Sequence, residues 1–224
     1  MNAPLRARAQ LVATDVDVDR GGRRVLRNIN LVLQPGTRLG VVGENGRGKS
    51  TLLKVLAGEI PPDAGHVHLS GSFGVAEQEI DIGDHLTVRD LIEIELHEVR
   101  SALSQLDRAT AGLADGRVGA ADMYDRALKA VEAHDGWNAD RRIDIALEAL
   151  GAVDDRTRRL STMSVGQRYR VRLGCLLGAQ HDFLLLDEPT NHLDRHGLDF
   201  LTGALREHQG GVVLVSHDRV LLRA

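Results

Sequence analysis

Cysteine is almost absent from this sequence. Cys175 is the single one among 224 residues, so the chain has no internal disulfide and no cysteine-based metal cluster. It stands in an apolar segment, which indicates a small core side chain. Aromatic residues make up only 3% of the chain, whereas 42% of its residues are hydrophobic. We therefore expect a globular protein with an aliphatic core.

Long apolar runs and an excess of positive charge are lacking as well. No segment approaches the roughly 18 consecutive apolar residues that a membrane span requires, and the basic N-terminus lacks the apolar stretch of a secretory signal. We therefore expect a cytoplasmic protein without a membrane span of its own. The formal net charge is −4, so bulk charge does not favour non-specific binding to nucleic acid.

A glycine-rich segment carries the clearest chemistry. Residues 43–51, G-E-N-G-R-G-K-S-T, fit the phosphate-loop pattern, with a short apolar strand before them and a helical segment after them. Backbone N–H groups and the helix N-terminus would surround a triphosphate, Lys49 would contact its β- and γ-phosphates, and Ser50 would hold Mg²⁺. The alternative, a glycine-rich surface turn, is disfavoured by the flanking strand and helix. The expected triphosphate contacts here are Gly43, Glu44, Asn45, Gly46, Gly48, Lys49, Ser50 and Thr51.

Two carboxylates follow a second apolar segment. Residues 183–186, F-L-L-L, predict a parallel strand buried on both faces, and Asp187 and Glu188 stand at its end. Open α/β sheets place catalytic groups at this edge. We assign Asp187 to the Mg²⁺ shell and Glu188 to the base that orients water. His217, after another apolar segment, would sense the γ-phosphate. The alternatives are a helix-capping pair of carboxylates and a solvent-facing histidine.

Periodicity predicts the remaining elements. Residues 11–18 and 25–33 predict two strands, and 66–69 with 72–76 predict a β-hairpin across Ser70 and Gly71. Thr87 and Asp90 have the spacing of a capping box. Apolar residues at three- and four-residue steps then predict helices on both sides of a break at 112–119. These two helices are expected to form an antiparallel hairpin.

Taken together, these motifs resemble those of ATP-binding cassette (ABC) ATPases. Residues 187–194, D-E-P-T-N-H-L-D, resemble a segment of that family, and the Asn-His pair in it resembles the ABC-F branch. Residues 160–168, L-S-T-M-S-V-G-Q-R, resemble the ABC signature, Gln78 matches the Q-loop glutamine, and His217 matches the switch histidine. The resemblance extends in the right order from about residue 11 to residue 219.

The resemblance implies a P-loop NTPase fold of the α/β class and an ATP hydrolase that uses ATP and Mg²⁺. The expected fold has a parallel-sheet core, an N-terminal antiparallel β layer and a helical subdomain with a helix-hairpin arm. We expect one nucleotide-binding domain over 1–224, in which 1–78 and 165–224 form the ATP-binding core, 79–164 the helical subdomain and about 96–134 the arm. Gln78 would join Ser50 and Asp187 at the metal, and the catalytic residues would be Glu188, His217 and Gln78.

ABC domains of this family work in head-to-tail pairs. The resemblance therefore implies that Ser164, Gly166 and Gln167 bind the γ-phosphate of a partner domain's ATP. Asp194 would lie at the shared interface, and Arg20 and Val25 would lie beside the adenine. Two positions depart from the family pattern. Val165 replaces the first glycine of the signature, and Arg20 stands where an aromatic residue usually stacks on the base, although a guanidinium plane can also stack there.

The interval between Gln78 and Ser164, 164 − 78 = 86 residues, exceeds that of transporter ATPases by about one helix hairpin. In ABC-F proteins an arm at this place touches the ribosome, two ABC domains share one chain, and many members relieve ribosome-targeting antibiotics. Because the chain ends soon after His217, we expect the first domain of a longer ABC-F protein that acts on the ribosome and its rRNA. The alternatives are the ATPase subunit of an ABC exporter, a homodimer, and a nucleotide-dependent interaction module with little turnover.

Overall fold

The structure is a computed structural model that describes residues 9–77, 85–152, 155–218 and 221–223. In these residues it combines two β-sheets with seven α-helices. The strands are β1 (Gln10–Arg20), β2 (Arg23–Leu33), β3 (Arg38–Val41), β4 (Ala64–Ser70), β5 (Phe73–Ala76), β6 (Phe183–Asp187) and β7 (Gly211–Val215). The helices are α1 (Lys49–Leu56), α2 (Val88–Glu95), α3 (His97–Ala114), α4 (Ala120–Ala133), α5 (Ala139–Ala149), α6 (Val165–Ala179) and α7 (Arg195–Glu207). Short 3-10 turns at Gly136–Asn138, Leu160–Thr162 and Leu221–Arg223 complete these elements.

The parallel sheet positions the candidate site. Its strand order is β3-β7-β6-β5, and all three neighbouring pairs run parallel. Every residue of β6 and β7 is buried. Leu185 packs with α1 on one face, whereas Leu184 and Leu186 pack in the cluster that contains α6 and α7 side chains on the other. Apolar residues on both faces explain why the F-L-L-L run is continuous rather than alternating.

A three-stranded antiparallel sheet, ordered β2-β1-β4, covers α1 from the other side. Alternate residues of β1, including Leu11 and Val16, are buried in the same cluster as Leu53 of α1. The helix is thus held between the two sheets, and its N-terminus lies at the carboxyl edge of β3. This alternation is the pattern that predicted β1 from the sequence.

The predicted hairpin of residues 66–69 and 72–76 is wrong. β4 pairs with β1 in the antiparallel sheet, whereas β5 pairs with β6 in the parallel sheet. The chain leaves one sheet for the other at Gly71, where φ is +114°. A short polar turn between two short apolar strands looks the same locally in both cases, because strand partners are chosen by contacts far away in the chain.

The helical part begins with the predicted capping box. The Thr87 backbone N–H donates to Asp90 Oδ2 at 2.8 Å, and the Asp90 N–H donates to Thr87 Oγ1 at 3.2 Å. These contacts satisfy N–H groups that the first turn of α2 leaves unpaired. Leu91 and Ile92 then pack against Ile143 and Val171 in a second core formed by α2, α5 and α6.

The predicted helix hairpin is present as α3 and α4. Their buried residues are Val99, Ala102, Ala109 and Gly112 on α3 and Ala120, Ala127 and Val131 on α4. We call these seven buried residues the small-residue seam, because apart from the two valines each of them is alanine or glycine. The valines lie at the base of the hairpin, beside Gly136, and the pair Gly112 and Ala120 lies at its tip.

α5 and α6 cross at two glycines of α6. A Cβ built on Gly178 would lie 2.6 Å from Ile143 Cα, and one built on Gly174 would lie 3.3 Å from the Leu147 backbone N. The spacing of four residues puts both glycines on the same face of α6. The two helix backbones therefore approach to a distance that leaves no room for a side chain at Gly178.

A buried ionic cluster, defined as Glu95, Arg172 and His181, joins the helical part to the parallel sheet. One Glu95 carboxylate oxygen accepts from the Arg172 guanidinium, and the other lies 2.8 Å from His181 Nε2. Arg172 Nε also donates to the Val75 carbonyl of β5 at 3.3 Å. Burial pushes the pKa of Glu95 up, but the His181 hydrogen bond and the Arg172 charge outweigh it and hold the pKa below its ordinary value.

The predicted fold class is confirmed, with a parallel-sheet core, an antiparallel β layer and a helical part that carries a helix hairpin. Within the described ranges, no helix has both the length and the apolar character needed to cross a membrane.

Candidate functional site

The loop between β3 and α1 wraps its backbone against β2. Gly48 has φ +91°, and a Cβ at this position would lie 2.5 Å from Val25 Cγ1. Both the positive φ and the close approach require glycine. The loop therefore turns tightly into the N-terminus of α1, where unpaired N–H groups favour an anion.

Lys49 reaches back across this loop. Its Nζ donates to the Gly43 carbonyl at 2.7 Å, to the Glu44 carbonyl at 3.2 Å and to Asn45 Oδ1 at 3.4 Å. The Glu44 side chain points away and pairs with Arg47 at 2.9 Å on the exposed surface. The loop thus concentrates positive charge at its centre, from the ammonium and from the helix N-terminus.

A cavity of about 410 Å³ opens over the loop. Its volume lies in the range that small-ligand sites occupy, about 300–1,000 Å³. The described lining brings together ten predicted site residues from both ends of the chain: Arg20, Val25, Asn45, Gly46, Gly48, Lys49, Ser50, Thr51, Asp187 and Glu188. Arg20, at the end of β1, is exposed and donates to the Asp19 carbonyl at 3.2 Å.

The acidic wall of the cavity comes from the end of β6. Asp187 is paired with Val215 of β7 in the sheet register and exposes only 5% of its surface. Glu188 follows with φ +46°, and its N–H donates to the Val215 carbonyl at 2.8 Å. A positive φ is unfavourable for a residue with a side chain. Here the strand bond holds it and turns the Glu188 side chain towards β7.

His217 lies beside Glu188, whereas its predicted contact with a γ-phosphate stays a prediction. The His217 N–H donates to Glu188 Oε2 at 3.4 Å, and His217 Nε2 lies 3.5 Å from Oε1. Oε1 is nonetheless buried and accepts no hydrogen bond from any described residue. The His217 ring is within ion-pair distance of Oε1 but does not form a hydrogen bond with it. The acceptor capacity of this oxygen is therefore not used within the described chain.

The signature residues form a tight helix start. Ser164 Oγ accepts from the Gln167 N–H at 3.2 Å, and Gln167 Oε1 accepts from the Ser164 N–H at 3.0 Å. Val165 exposes 50% of its surface. Gly166 faces His192, whose ring atoms would lie 3.4 Å from an added Cβ. The described lining of the cavity over the phosphate loop does not include Ser164, Gly166, Gln167 or Asp194.

Asp194 begins α7, where its Oδ1 accepts from the Gly197 N–H at 2.8 Å. Gln78 lies outside the described residues, so its predicted roles at the metal and in catalysis stay predictions. Glu77, directly before it, pairs with Lys54 of α1 at 3.3 Å. In the described ranges no three His, Cys, Asp or Glu side chains converge as a protein-only metal cage. A Mg²⁺ ion bound with phosphates needs only one or two protein ligands, so this finding fits the donor set of Ser50 and Asp187.

Tyr169 is a neighbour of the site that the sequence reasoning missed. It lies on α6 and is buried beside the carboxyl end of β6. Its pKa is raised by burial and then by the negative charges of Asp187 and Glu188. A signal was present in the sequence, since tyrosine is the one aromatic residue in the helix from 165 to 179 and aromatic residues are rare in the whole chain.

Comparison with known proteins identifies the family. A profile described as ABC transporter matches residues 26–191. The chain is 42% identical over 208 residues to the tylosin resistance ATP-binding protein TlrC of Streptomyces fradiae, covering 89% of this chain and 38% of TlrC. It is 37% identical over 207 residues to the energy-dependent translational throttle protein EttA of Haemophilus influenzae, covering 89% of this chain and 37% of EttA.

A solved structure agrees in fold. This is an ATP-binding cassette determined as a dimer in a post-hydrolysis state bound to ADP and Pi, with a TM-score of 0.64 at 20% identity, covering 95% of this chain and 90% of that one. The chain spans less than two-fifths of the length of the curated relatives named above. The family that the motifs indicated is confirmed: this chain belongs to the ABC transporter family.

Proposed function

We propose that this chain binds ATP with Mg²⁺ and hydrolyses it in the cavity between the phosphate loop and the end of β6. The observation that carries the proposal is the shared cavity itself, which is lined by Lys49 on one side and by Asp187 and Glu188 on the other. Phosphoryl transfer needs positive charge around the phosphates and acidic groups for a metal and a water. Both requirements meet here in one place.

The loop fits a triphosphate. Gly48 packs against Val25 where a Cβ would not fit, which fixes the turn of the loop, and backbone N–H groups of such a turn bind phosphate oxygens. Lys49 Nζ already points to the loop centre and would exchange its carbonyl contacts for phosphate oxygens. The full set proposed to bind this part of ATP is Gly43, Glu44, Asn45, Gly46, Gly48, Lys49, Ser50 and Thr51. Arg20 and Val25 would flank the adenine, with the Arg20 guanidinium as the stacking plane.

The metal would be held by Ser50, Asp187 and Gln78. A hydroxyl, a carboxylate and an amide oxygen form the hard oxygen donor set that Mg²⁺ prefers. When bound, the ion would neutralise charge on the phosphates. Asp187 suits this role because the sheet fixes it and keeps it almost fully buried.

Glu188 is proposed as the base. Its Oε1 is buried without a hydrogen-bond donor in the described chain, so it can accept the O–H of a water. His217, 3.5 Å from Oε1, would contact the γ-phosphate, and Gln78 is proposed as the third catalytic residue. The bond from the Glu188 N–H to the Val215 carbonyl fixes the backbone, and the His217 N–H donates to Oε2 of the carboxylate before the water arrives.

Pairing with a second ABC domain would complete the site. Ser164, Gly166 and Gln167 start a helix whose N–H groups suit an anion, yet they do not line this chain's own cavity. A partner's γ-phosphate is the ligand that they would bind, with Asp194 at the interface. The related cassette solved as a dimer supports this arrangement. We infer a single domain over 1–224, with 1–78 and 165–224 as the core, 79–164 as the helical subdomain and about 96–134 as the arm.

We further propose that the whole protein is cytoplasmic, carries a second ABC domain and acts on the ribosome, with antibiotic resistance as its role. The names of TlrC and EttA, resistance to tylosin and translational throttling, support this direction. The hairpin of α3 and α4 is the part proposed to touch the ribosome. An exporter subunit is the second candidate, which the similarity to TlrC and EttA does not favour.

The test uses the full-length protein with Glu188→Gln, Lys49→Ala and wild type. Glu188→Gln is expected to bind ATP and abolish turnover at this site, and Lys49→Ala to lose tight nucleotide binding, because the first removes the base and the second the phosphate contact. Arg206→Gln on α7 is a surface control that removes a charge elsewhere. Normal ATP hydrolysis at this site in Glu188→Gln would refute the assignment of the base.

Ribosome pelleting separates the two candidate partners. Glu188→Gln with ATP is expected to sediment with ribosomes, and Lys49→Ala with ATP to stay in the supernatant. Sedimentation of Glu188→Gln with membrane vesicles instead of ribosomes would favour the exporter subunit.

A further inference from the structure

Tyr169 is a polar side chain buried beside the cavity, and the roles proposed above do not use it. It lies on α6, five residues after Ser164, and exposes 1% of its surface. Its ring packs in the apolar cluster that also contains Leu186 of β6 and Leu201 of α7. Leucine or methionine would fill such a position without a polar atom, so the hydroxyl calls for an explanation.

Two buried oxygen atoms near the end of β6 have no hydrogen-bond partner in the described part of the chain. They are the Tyr169 hydroxyl and Glu188 Oε1. One is a donor and the other an acceptor, so each supplies what the other needs. A buried donor or acceptor without a hydrogen bond lowers the stability of the folded protein, so leaving both atoms unpaired would be unfavourable.

In this pair, Tyr169 is the hydrogen-bond donor and Glu188 is the acceptor. Burial raises the pKa of Tyr169, and the carboxylates of Asp187 and Glu188 raise it further. The phenol therefore stays protonated at physiological pH and acts as a donor. The place of the ring comes from its packing: Tyr169 lies in one cluster with Leu186, two residues before Glu188, and its ring contacts that of His192, four residues after Glu188.

The loop after Glu188 holds the tyrosine ring in place. The rings of Tyr169 and His192 have centroids 6.0 Å apart and planes tilted by 58°. The His192 carbonyl accepts from Arg170 Nη1 at 3.2 Å. His192 itself has φ +66°. Tyr169 and Arg170, which are neighbours on α6, thus both contact His192. These contacts restrict the motion of the ring that carries the hydroxyl.

We propose that Tyr169 is a positioning residue for Glu188, and that its hydroxyl donates through one bridging water to Glu188 Oε1. The bridge satisfies both buried oxygens, as ordered waters do in protein interiors. It holds the carboxylate in the orientation in which it orients the attacking water. This inference rests on the proposed function, in which Glu188 is the base for ATP hydrolysis.

The test compares Tyr169→Phe with Tyr124→Phe in the full-length protein. Tyr169→Phe removes one oxygen and keeps the ring against His192. Tyr124, the other tyrosine of this chain, is half-buried on α4 and serves as the matched control. Any second ABC domain carries glutamine in place of its own base, so that turnover reports this site. The readouts are kcat and KM for ATP, equilibrium nucleotide binding, and the thermal midpoint without nucleotide.

Tyr169→Phe is expected to lower kcat about tenfold, the effect of one hydrogen bond to a charged group, and to change KM and the nucleotide Kd less than about twofold. The midpoint should change only slightly, because the ring packing is kept and a single hydrogen bond to the bridging water is lost. In a Glu188→Gln background the substitution should have no further effect on the residual rate, since both changes act through one carboxylate. Tyr124→Phe should match wild type throughout.

Three results would overturn the inference. If Glu188→Gln abolishes turnover but Tyr169→Phe keeps the wild-type kcat, the proposed function stands and Tyr169 has no positioning role. A lower midpoint together with weaker nucleotide binding would make Tyr169 a structural residue. If Glu188→Gln retains full turnover, the proposed base is wrong and the inference fails with it.

Discussion

The substitution Gly178→Ala tests the α5–α6 crossing directly. A Cβ at Gly178 would lie 2.5 Å from Ile143 Cγ1, 2.6 Å from Ile143 Cα and 2.7 Å from its backbone N. A side-chain atom can rotate away, but the two backbone atoms cannot. Carbon atoms in contact prefer about 3.5–4.0 Å, so the helices must separate by roughly 1 Å.

The expected cost follows from two opposing effects. Alanine stabilises a helix interior by about 1 kcal/mol relative to glycine. Overpacking costs about 1–3 kcal/mol, and the upper value applies because the contact is with backbone. The net loss in free energy of unfolding is therefore about 2 kcal/mol, which lowers the midpoint by about 4–8 °C in a domain of this size.

Gly203→Ala on α7 is the matched control. It replaces a helical glycine in the same chain, but a Cβ there meets nothing within 4 Å. Only the helix preference remains, so stability should rise by about 0.5–1 kcal/mol. Thermal and urea unfolding, followed by circular dichroism, measure both variants. Equal stability of Gly178→Ala and Gly203→Ala would refute the close approach of the two helix backbones.

Three further substitutions test local features. Gly48→Ala should weaken nucleotide binding at least about tenfold in a titration with a fluorescent analogue, since it adds a clash with Val25 to the strain of a positive φ; Gly46→Ala, with open space around its Cβ, should lose less, and equal losses would contradict the clash. Thr87→Ala should lower the free energy of unfolding by about 1 kcal/mol, and an unchanged urea midpoint would show that the cap is not needed. The folded-state pKa of Glu95 lies below its reference of 4.5, so its stabilisation is complete above that reference and is lost as the pH falls through the folded-state pKa. Unfolding curves for Glu95→Gln should depend less on pH across this acid range, and curves parallel to those of wild type would contradict the ionic contribution.

The phosphate loop and the end of β6 were predictable because each depends on a local pattern. Glycine spacing determines the turn into α1, and a continuous apolar run ending in Asp187 and Glu188 determines a buried strand with an acidic end. The capping box at Thr87 and the helix hairpin followed in the same way. These features depend on residues within one or two turns of one another.

Features that depend on distant partners were not predictable in the same way. Glu95 contacts Arg172 and His181, which lie 77 and 86 positions further along the chain. No periodicity in the sequence indicates such contacts. The assignment of β4 and β5 to different sheets also depends on strands far away in the sequence. The Tyr169 environment is set by the loop at His192, which the helix pattern of α6 does not encode.

The small-residue seam between α3 and α4 has a consequence for hydrogen exchange. Each buried methyl or methylene contributes about 0.8 kcal/mol, and beyond Val99 and Val131 the buried positions of the seam offer at most one methyl group each. The free energy of local opening therefore decreases from the base of the hairpin to its tip. Amide hydrogens near Gly112 and Ala120 should exchange through opening of the outer turns while those near Val99 exchange only with the whole domain. The hairpin is firmly anchored at its base and compliant at its far end.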